Sequence, residues 1–252
     1  MFPFPSKEEL RLRSLRKGLI FTAGLVALCV ASEASAAGKW AVGGFVDYNS
    51  PQRGMKDRFG GVSKFSGGVS YVNSDLFTVS LEYNRANLKD GKLETLPFKW
   101  AVDNKFYTSP NGSSTMKLNT FSVNAMVFPG QENRSHGFKP KDYRWYMLVG
   151  GGYCDYKAVN KDFIYPGQTG GTTKTLDLTR LLEPQVDKRV ALAASLGAGV
   201  EAFISDSWAL DVRARYNIIV GEIRPMLLWN LERIFPIQFV DVGVGMKFYF
   251  WR

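Results

Sequence analysis

The sequence predicts an all-β protein: a closed eight-stranded antiparallel up-and-down barrel that crosses a membrane. Three observations lead to this prediction: eight stretches of alternating apolar and polar residues, a composition rich in aromatic residues and glycine, and an N-terminal segment typical of exported proteins. The 252 residues include 18 Phe, 11 Tyr, 6 Trp and 25 Gly. Aromatic rings favour pleated surfaces, and glycine relieves crowding where a sheet curves or closes. The composition therefore favours β-structure.

Residues 1–36 have the features of a cleaved secretory signal peptide. Basic residues precede an apolar run from Gly18 to Ala31, and Ala34-Ser35-Ala36 offers the small side chains that signal peptidase accepts. The apolar run is shorter than the roughly 20 residues that a membrane-spanning helix needs. We therefore expect cleavage after Ala36. An uncleaved anchor and a lipoprotein modified at Cys29 are the alternatives.

Residues 37–252 form the predicted barrel domain and contain eight stretches with period two. In the clearest, 190–204, residues such as Leu192 and Leu196 alternate with small or polar ones such as Gly197 and Glu201. An even number of strands lets a sheet close without an unpaired edge, which lipid would not tolerate. Each stretch is near the roughly 9–11 residues of a tilted membrane-crossing strand. The other seven stretches are 39–49, 63–72, 76–86, 116–128, 142–156, 208–218 and 240–250.

The connections between these stretches alternate in length along the chain. The connections after the second, fourth and sixth stretches are predicted periplasmic turns, and the longer ones after the first, third, fifth and seventh are predicted extracellular loops. The turn at 129–141 is long for its side of the membrane. Past the signal segment there is no run of 18 apolar residues, so if the protein sits in a membrane, strands must make the crossing.

The polar faces of the predicted strands carry five acidic and five basic residues. Such a balanced set suits a narrow lumen, because mutual pairing offsets the cost of burying each charge. An ordinary solvated face is the alternative. We expect Glu201 and Asp241 to serve as partners for Arg213, Arg215 and Lys247. The predicted lumen network comprises Asp47, Lys64, Glu82, Arg144, Glu201, Asp211, Arg213, Arg215, Asp241 and Lys247.

Aromatic residues cluster at the ends of the predicted strands. Aromatic girdles at both interfaces are typical of membrane barrels, whereas a soluble barrel would turn its apolar face inward. Together with the signal segment, this pattern favours lipid outside the barrel. The strand-end residues are Trp40, Tyr48, Tyr71, Tyr83, Trp145, Trp208, Tyr216 and Phe250.

Three segments resemble the small eight-stranded outer-membrane barrels, the group that contains the OmpA transmembrane domain, OmpX and the opacity proteins. Residues 196–217 resemble their penultimate hairpin, 150–153 their fifth strand and 244–250 their C-terminal strand. The resemblance implies a porin-like barrel in the outer membrane of a Gram-negative bacterium. In that group a terminal Phe is often part of the signal for the barrel-assembly machinery. Phe248 and Phe250 are the candidates for this role, although two further residues follow them.

An eight-stranded barrel has an interior that side chains can fill, so we expect the long loops to carry any specific function. The favoured interpretation is a non-enzymatic outer-membrane protein with an adhesin-like surface-interaction role or an envelope-structural role. A narrow channel or transporter for small or hydrophobic solutes is the alternative. Its motivation is the apolar loop 224–235, for which a short helix bearing Leu228, Leu231 and Ile234 on one side is expected.

A lipid-modifying enzyme is the least favoured interpretation. The one histidine, His136, lies with Ser135 in the predicted periplasmic turn, and neighbours in sequence do not make a catalytic triad. We expect no catalytic residue, cofactor, metal or nucleic-acid partner. The sequence has one His, two Cys and no phosphate-binding loop motif.

The expected partners are outer-membrane lipid and lipopolysaccharide, the barrel-assembly machinery and an unidentified surface ligand. The first long loop contains the nearest approach to a basic patch, formed by Arg53, Lys56 and Arg58. Basic side chains pair well with phosphate, so lipopolysaccharide phosphate is the expected counterpart of this patch.

Overall fold

The structure, a computed structural model, describes residues 39–89, 91–130, 143–171 and 175–250. The predicted signal segment, most of the 129–141 turn with His136, and Trp251-Arg252 lie outside the described residues. Among the described residues, no helix is long and apolar enough to cross a bilayer.

Eight long strands close into one barrel in which neighbours along the chain are neighbours in the sheet. The barrel strands are β1 (Lys39–Pro51), β2 (Val62–Val72), β3 (Phe77–Leu88), β6 (Ser113–Val127), β7 (Tyr143–Lys161), β8 (Gln185–Phe203), β9 (Trp208–Ile219) and β10 (Ile237–Phe250). The order around the barrel is β1-β10-β9-β8-β7-β6-β3-β2, and every pairing is antiparallel. The predicted closed eight-stranded antiparallel barrel is confirmed.

The connections at one end of the barrel are folded structures. The first contains a one-turn helix, α1 (Met55–Arg58), and the second contains a small hairpin of β4 (Phe98–Lys99) and β5 (Phe106–Tyr107). Single 3-10 turns occur at Leu93–Thr95 and Leu227–Trp229. The opposite end carries the short turns 73–76 and 204–207 and both termini of the barrel.

The barrel is polar inside and apolar outside. Along β7 the side chains of Arg144 and Tyr146 point inward and are buried, whereas Trp145 and Met147 point outward and are about half exposed. A barrel that buries charge and exposes aliphatic and aromatic side chains is suited to lipid rather than to water. All eight strand-end aromatic residues except the half-buried Tyr71 are exposed on this outer face.

Strands β7 and β8 extend beyond their predicted bounds, with 19 residues each. The predicted ends, at 156 and 190, lie near the point where the outer face stops being apolar. Strand β7 continues because its inward side chain beyond that point, Ala158, packs with Tyr156 into an apolar cluster, and the extension of β8 pairs with it, with Asp187 in register with Ala158. Strand length is therefore set by packing inside the barrel mouth as well as by bilayer thickness.

That cluster fills the extracellular half of the barrel and is called the plug here. The helix α1 contributes Met55, with Phe59 next to it, and the last loop contributes Ile223 and Ile234. A second cluster, called the cap, lies among the loops and is built around Trp100 and Trp229. The other plug residues are Ala86, Leu88, Met116, Leu118, Cys154, Tyr156, Ala158, Ile219, Ile237 and Phe239, and the other buried cap residues are Leu93, Phe98, Phe163, Ile164 and Leu231.

We predict that Gly152→Ala destabilises the barrel while Gly151→Ala does not. A Cβ atom at Gly152 would collide with the Phe121 carbonyl oxygen and lie 2.7 Å from Cα of Ser122, whereas at Gly151 the nearest atom is 4.0 Å away. Overpacking against backbone costs about 1–3 kcal/mol. Urea unfolding in liposomes, followed by tryptophan fluorescence, measures both variants. Equal midpoints for the two variants would contradict this account of the wall.

Candidate functional site

Two arginines and two carboxylates form the central part of the lumen network. Arg213 contacts Asp47 at 2.9 Å and Glu82 at 2.8 Å, and Arg215 contacts the same two residues at 3.4 and 2.8 Å. All four side chains are almost completely buried. Arg213 also lies 3.5 Å from the centre of the Phe45 ring. Each charge therefore has a partner of opposite sign, as burial requires.

Lys64 and Asp241 continue the central network toward the extracellular side. Their side chains form an ion pair, and Asp241 also lies 3.7 Å from Arg215. Two amides complete the hydrogen bonding of Asp241: Asn49 donates to it at 2.6 Å and Asn217 at 2.7 Å. This carboxylate is thus held by cations and neutral donors together.

A second ion-pair group lies nearer the short turns. Glu201 pairs with Lys247 and with Arg144, whose guanidinium lies 2.6 Å from it, and Tyr249 donates to the same carboxylate at 2.9 Å. Lys247 also contacts Asp211 at 2.6 Å. The structure thus buries all ten predicted lumen residues and brings them into these two groups.

The partners of Arg213 differ from the predicted ones. Glu201 and Asp241 were the expected partners of Arg213, Arg215 and Lys247. Lys247 does pair with Glu201, and Arg215 lies 3.7 Å from Asp241, but Arg213 pairs with Asp47 of β1 and Glu82 of β3 instead. Glycine makes this pairing possible, because Arg213 lies in register between Gly199 and Gly243 on its two neighbouring strands. A Cβ atom at Gly243 would collide with the Asp47 carboxylate.

A small cavity separates the ion pairs from the apolar plug. Its volume is about 40 Å³, and polar side chains line one side while apolar side chains of the plug line the other. A cavity of this size holds about two or three water molecules. The polar lining includes Asn49, Lys64, Asn84, Arg215, Asn217 and Asp241, and the apolar lining includes Ala86, Leu118, Ile219 and Phe239.

The prediction of a short helix in the last loop is wrong. Residues 223–234 form a hairpin, here called the loop hairpin, with bridges Ile223↔Ile234 and Met226↔Leu231. Its tip reverses direction through Asn230, whose φ of 52° lies in the left-handed region that asparagine tolerates. Leu231 and Ile234 are buried in the cap and plug, whereas Leu227 and Leu228 at the tip are 80% and 51% exposed.

Arg58 was expected in an exposed basic patch, but it is buried and fastens the loop hairpin to α1. Its guanidinium donates to the carbonyl oxygens of Arg224 at 2.9 Å and Glu232 at 2.7 Å, and to that of Leu231 at 3.4 Å. Burial lowers the pKa of Arg58 to about 10, while nearby Asp187 opposes the shift, so Arg58 remains charged at neutral pH. Arg53 and Lys56 are exposed, but the three-residue basic patch does not exist.

Several residues of the site could not be recognised in the sequence. Tyr146 and Tyr249 have the same alternating position as the charged residues, and both donate hydrogen bonds to lumen carboxylates. The predicted lumen network named only charged residues and therefore omitted these two hydroxyl groups. Phe248 and Phe250 lie on the outer face with their rings 4.9 Å apart, and their role in assembly stays a prediction.

Among the described residues, no group of three or more His, Cys, Asp or Glu side chains is placed to hold a metal ion.

No protein-family model matches the chain, and no curated protein matches it either. Solved structures do match. A major outer membrane protein from Thermus thermophilus has a TM-score of 0.53 and 12% identity, covering 85% of this chain and 100% of that one.

Two further solved structures have lower scores. Neisserial surface protein A gives a TM-score of 0.43 at 13% identity, over 86% of this chain and 100% of its own. OprG from Pseudomonas aeruginosa gives 0.41 at 13%, over 84% of this chain and 97% of its own. Identities this low speak only to the fold.

The closed sheet, the buried charges and the apolar outer wall together define a class of protein. The chain is a small eight-stranded transmembrane β-barrel of the outer-membrane kind, as its resemblance to that group implied. An outer membrane is the bilayer to which this architecture is adapted, and it is where the protein resides.

We predict that Arg213→Met lowers the free energy of unfolding by about 3–5 kcal/mol, because it leaves Asp47 and Glu82 buried with too few partners. Arg233→Met is the matched control: its pair with Glu222 at 3.2 Å is solvent-exposed, so the expected loss is at most about 1 kcal/mol. Urea unfolding in liposomes tests both. Similar losses in the two variants would show that the lumen network is not a major source of stability.

Proposed function

We propose that the protein is a non-enzymatic surface-interaction protein whose barrel is a closed support and whose loop hairpin is the contact surface. The observation that carries the proposal is the pair of exposed leucines at a rigidly held tip. Leu227 and Leu228 project from a hairpin whose base is buried in both the plug and the cap. Exposed apolar side chains on an ordered scaffold are typical of protein-interaction sites.

The scaffold beneath the tip is fixed by several contacts. Trp229, adjacent to the leucines, is buried, and its indole donates to the Ile164 carbonyl at 3.1 Å. Arg224 contacts Asp187 of β8 at 2.5 Å, and Arg58 donates a hydrogen bond to the carbonyl oxygen of Glu232 on the second arm of the hairpin. A partner would therefore meet a preformed surface and lose little ordering entropy.

A channel or transporter receives less support from the same geometry. Ion pairs link β9 to β1 and, across the lumen, to the opposite strand β3, and the plug fills the space above them. The cavity between these two layers, at about 40 Å³, has room for water but not for an organic solute. Solute passage would require the loops and the plug to move out of the mouth.

Enzymatic action also receives little support. The polar groups of the lumen are engaged with each other, and their carboxylates are covered by the plug on the extracellular side. Acid–base chemistry needs a group within hydrogen-bond reach of a substrate. We therefore propose that these carboxylates stabilise the barrel and do not act on a substrate.

The test compares cells that display equal amounts of the protein or its variants. We expect the wild-type protein to increase autoaggregation and adhesion to an alkyl-coated surface, relative to cells without it. The double variant Leu227→Ser/Leu228→Ser should lose most of this gain, because burying a leucine contributes about 1.5–3 kcal/mol. Leu178→Ser is the control, since Leu178 is 61% exposed but belongs to another loop.

Heat-modifiable gel migration verifies that each variant is folded. A wild-type protein that changes neither aggregation nor adhesion, yet alters entry of a dye into the periplasm, would replace the surface-interaction proposal by an envelope-structural one. Equal losses in the control and the double variant would show that the loop hairpin is not the contact surface.

A further inference from the structure

Three lysines lie directly opposite each other on three adjacent strands of the outer wall. Lys117 of β6 is in register with Lys157 of β7, and Lys157 is in register with Lys188 of β8. All three side chains are exposed. Residues directly opposite in an antiparallel pair have Cβ atoms about 4.5–5.5 Å apart, so three ammonium groups share one small area. This set is called the lysine row.

The lysine row has an excess of positive charge. Like charges directly opposite on neighbouring strands destabilise a sheet, and within the described residues none of the three lysines forms a salt bridge shorter than 4.0 Å. One acidic residue, Asp155, lies on the same outer face, two residues before Lys157, and Arg85 adds a further exposed positive charge on β3. The surroundings therefore leave most of the repulsion uncompensated.

The row has a defined depth relative to the bilayer. Phe121, Tyr153 and Leu192 form a parallel row on the same three strands, each four residues nearer the membrane centre than its lysine. The rings of Phe121 and Tyr153 stack with their centres 5.8 Å apart. Four residues span about 13 Å along a strand, or roughly 10 Å along the membrane normal for a tilted strand. The ammonium groups thus lie at headgroup depth, just beyond the extracellular aromatic girdle.

We propose that the lysine row binds the phosphate of a phosphorylated lipid headgroup in the outer leaflet. A phosphate oxygen anion between two neighbouring ammonium groups converts their repulsion into two attractive contacts, while the acyl chains of the same lipid lie against Tyr153 and Leu192 below. Free phosphate would gain the first interaction and not the second. This site is separate from the loop hairpin, so either proposal can fail without the other.

The central lysine provides the test. The detergent-solubilised protein is titrated with bisphosphorylated lipid A, and the apparent Kd is compared between wild type and Lys157→Gln. We expect the Kd to rise roughly fivefold for the single variant and about a hundredfold for Lys117→Gln/Lys157→Gln/Lys188→Gln. In neutral detergent without the lipid, Lys157→Gln should be at least as thermally stable as wild type, because a like-charge contact is gone.

Lys161→Gln is the matched control. Lys161 lies on the same strand and face as Lys157 but has its own partner, Asp162, at 3.1 Å. We expect its Kd to equal that of the wild type. The proposal is overturned if Lys161→Gln weakens binding as much as Lys157→Gln does, or if lipid A without phosphates binds equally well. Inorganic phosphate that stabilises the protein as much as the lipid would also overturn it, because the ligand would then be a free anion.

Discussion

The buried ion pairs between Arg213, Asp47 and Glu82 are the interaction on which the rest of the structure depends. They join β9 to β1 and β3 across the lumen, so they connect wall segments that share no backbone hydrogen bonds. Breaking one partner of such a pair leaves an uncompensated charge in a dry interior, which is far more costly than losing an exposed pair. The network therefore holds one shape of the barrel and at the same time occupies its interior.

The apolar plug lies above this polar layer, on its extracellular side, and the cap lies above the plug, among the loops. Because the lumen below is filled, the inward side chains at the barrel mouth can pack on one another. Side chains of α1 and of the loop hairpin pack against the same apolar cluster. Arg58 illustrates the linkage: its charge is buried outside the membrane, where it donates hydrogen bonds to carbonyl oxygens of the loop hairpin and adds to the contacts that hold the hairpin in place. A closed interior and an ordered surface are thus consequences of the same packing.

The alternation of residues in the sequence was sufficient to predict the eight strands and the ten lumen charges, because period two decides which face of a strand a residue occupies. It could not predict that Arg213 would bypass Asp241 for Asp47 and Glu82, since that choice depends on the stagger of the closed sheet and on space left by Gly199 and Gly243. The loops were less predictable still. Leu231 and Ile234 suggested a helical face, but long-range burial and a left-handed Asn230 produce a hairpin instead. Likewise, nothing local distinguishes the buried Arg58 from the exposed Arg53.

The central claim is that paired charges and the plug seal the barrel, and single-channel recording in planar lipid bilayers tests it most directly. Purified wild-type protein, inserted in folded form, should leave the bilayer conductance at its baseline, with no discrete openings, because the ion pairs of Arg213 and the apolar plug occupy the lumen. Reproducible, voltage-independent openings of uniform size in the wild-type protein would contradict the account, since ions would then pass through a lumen that the network is said to close.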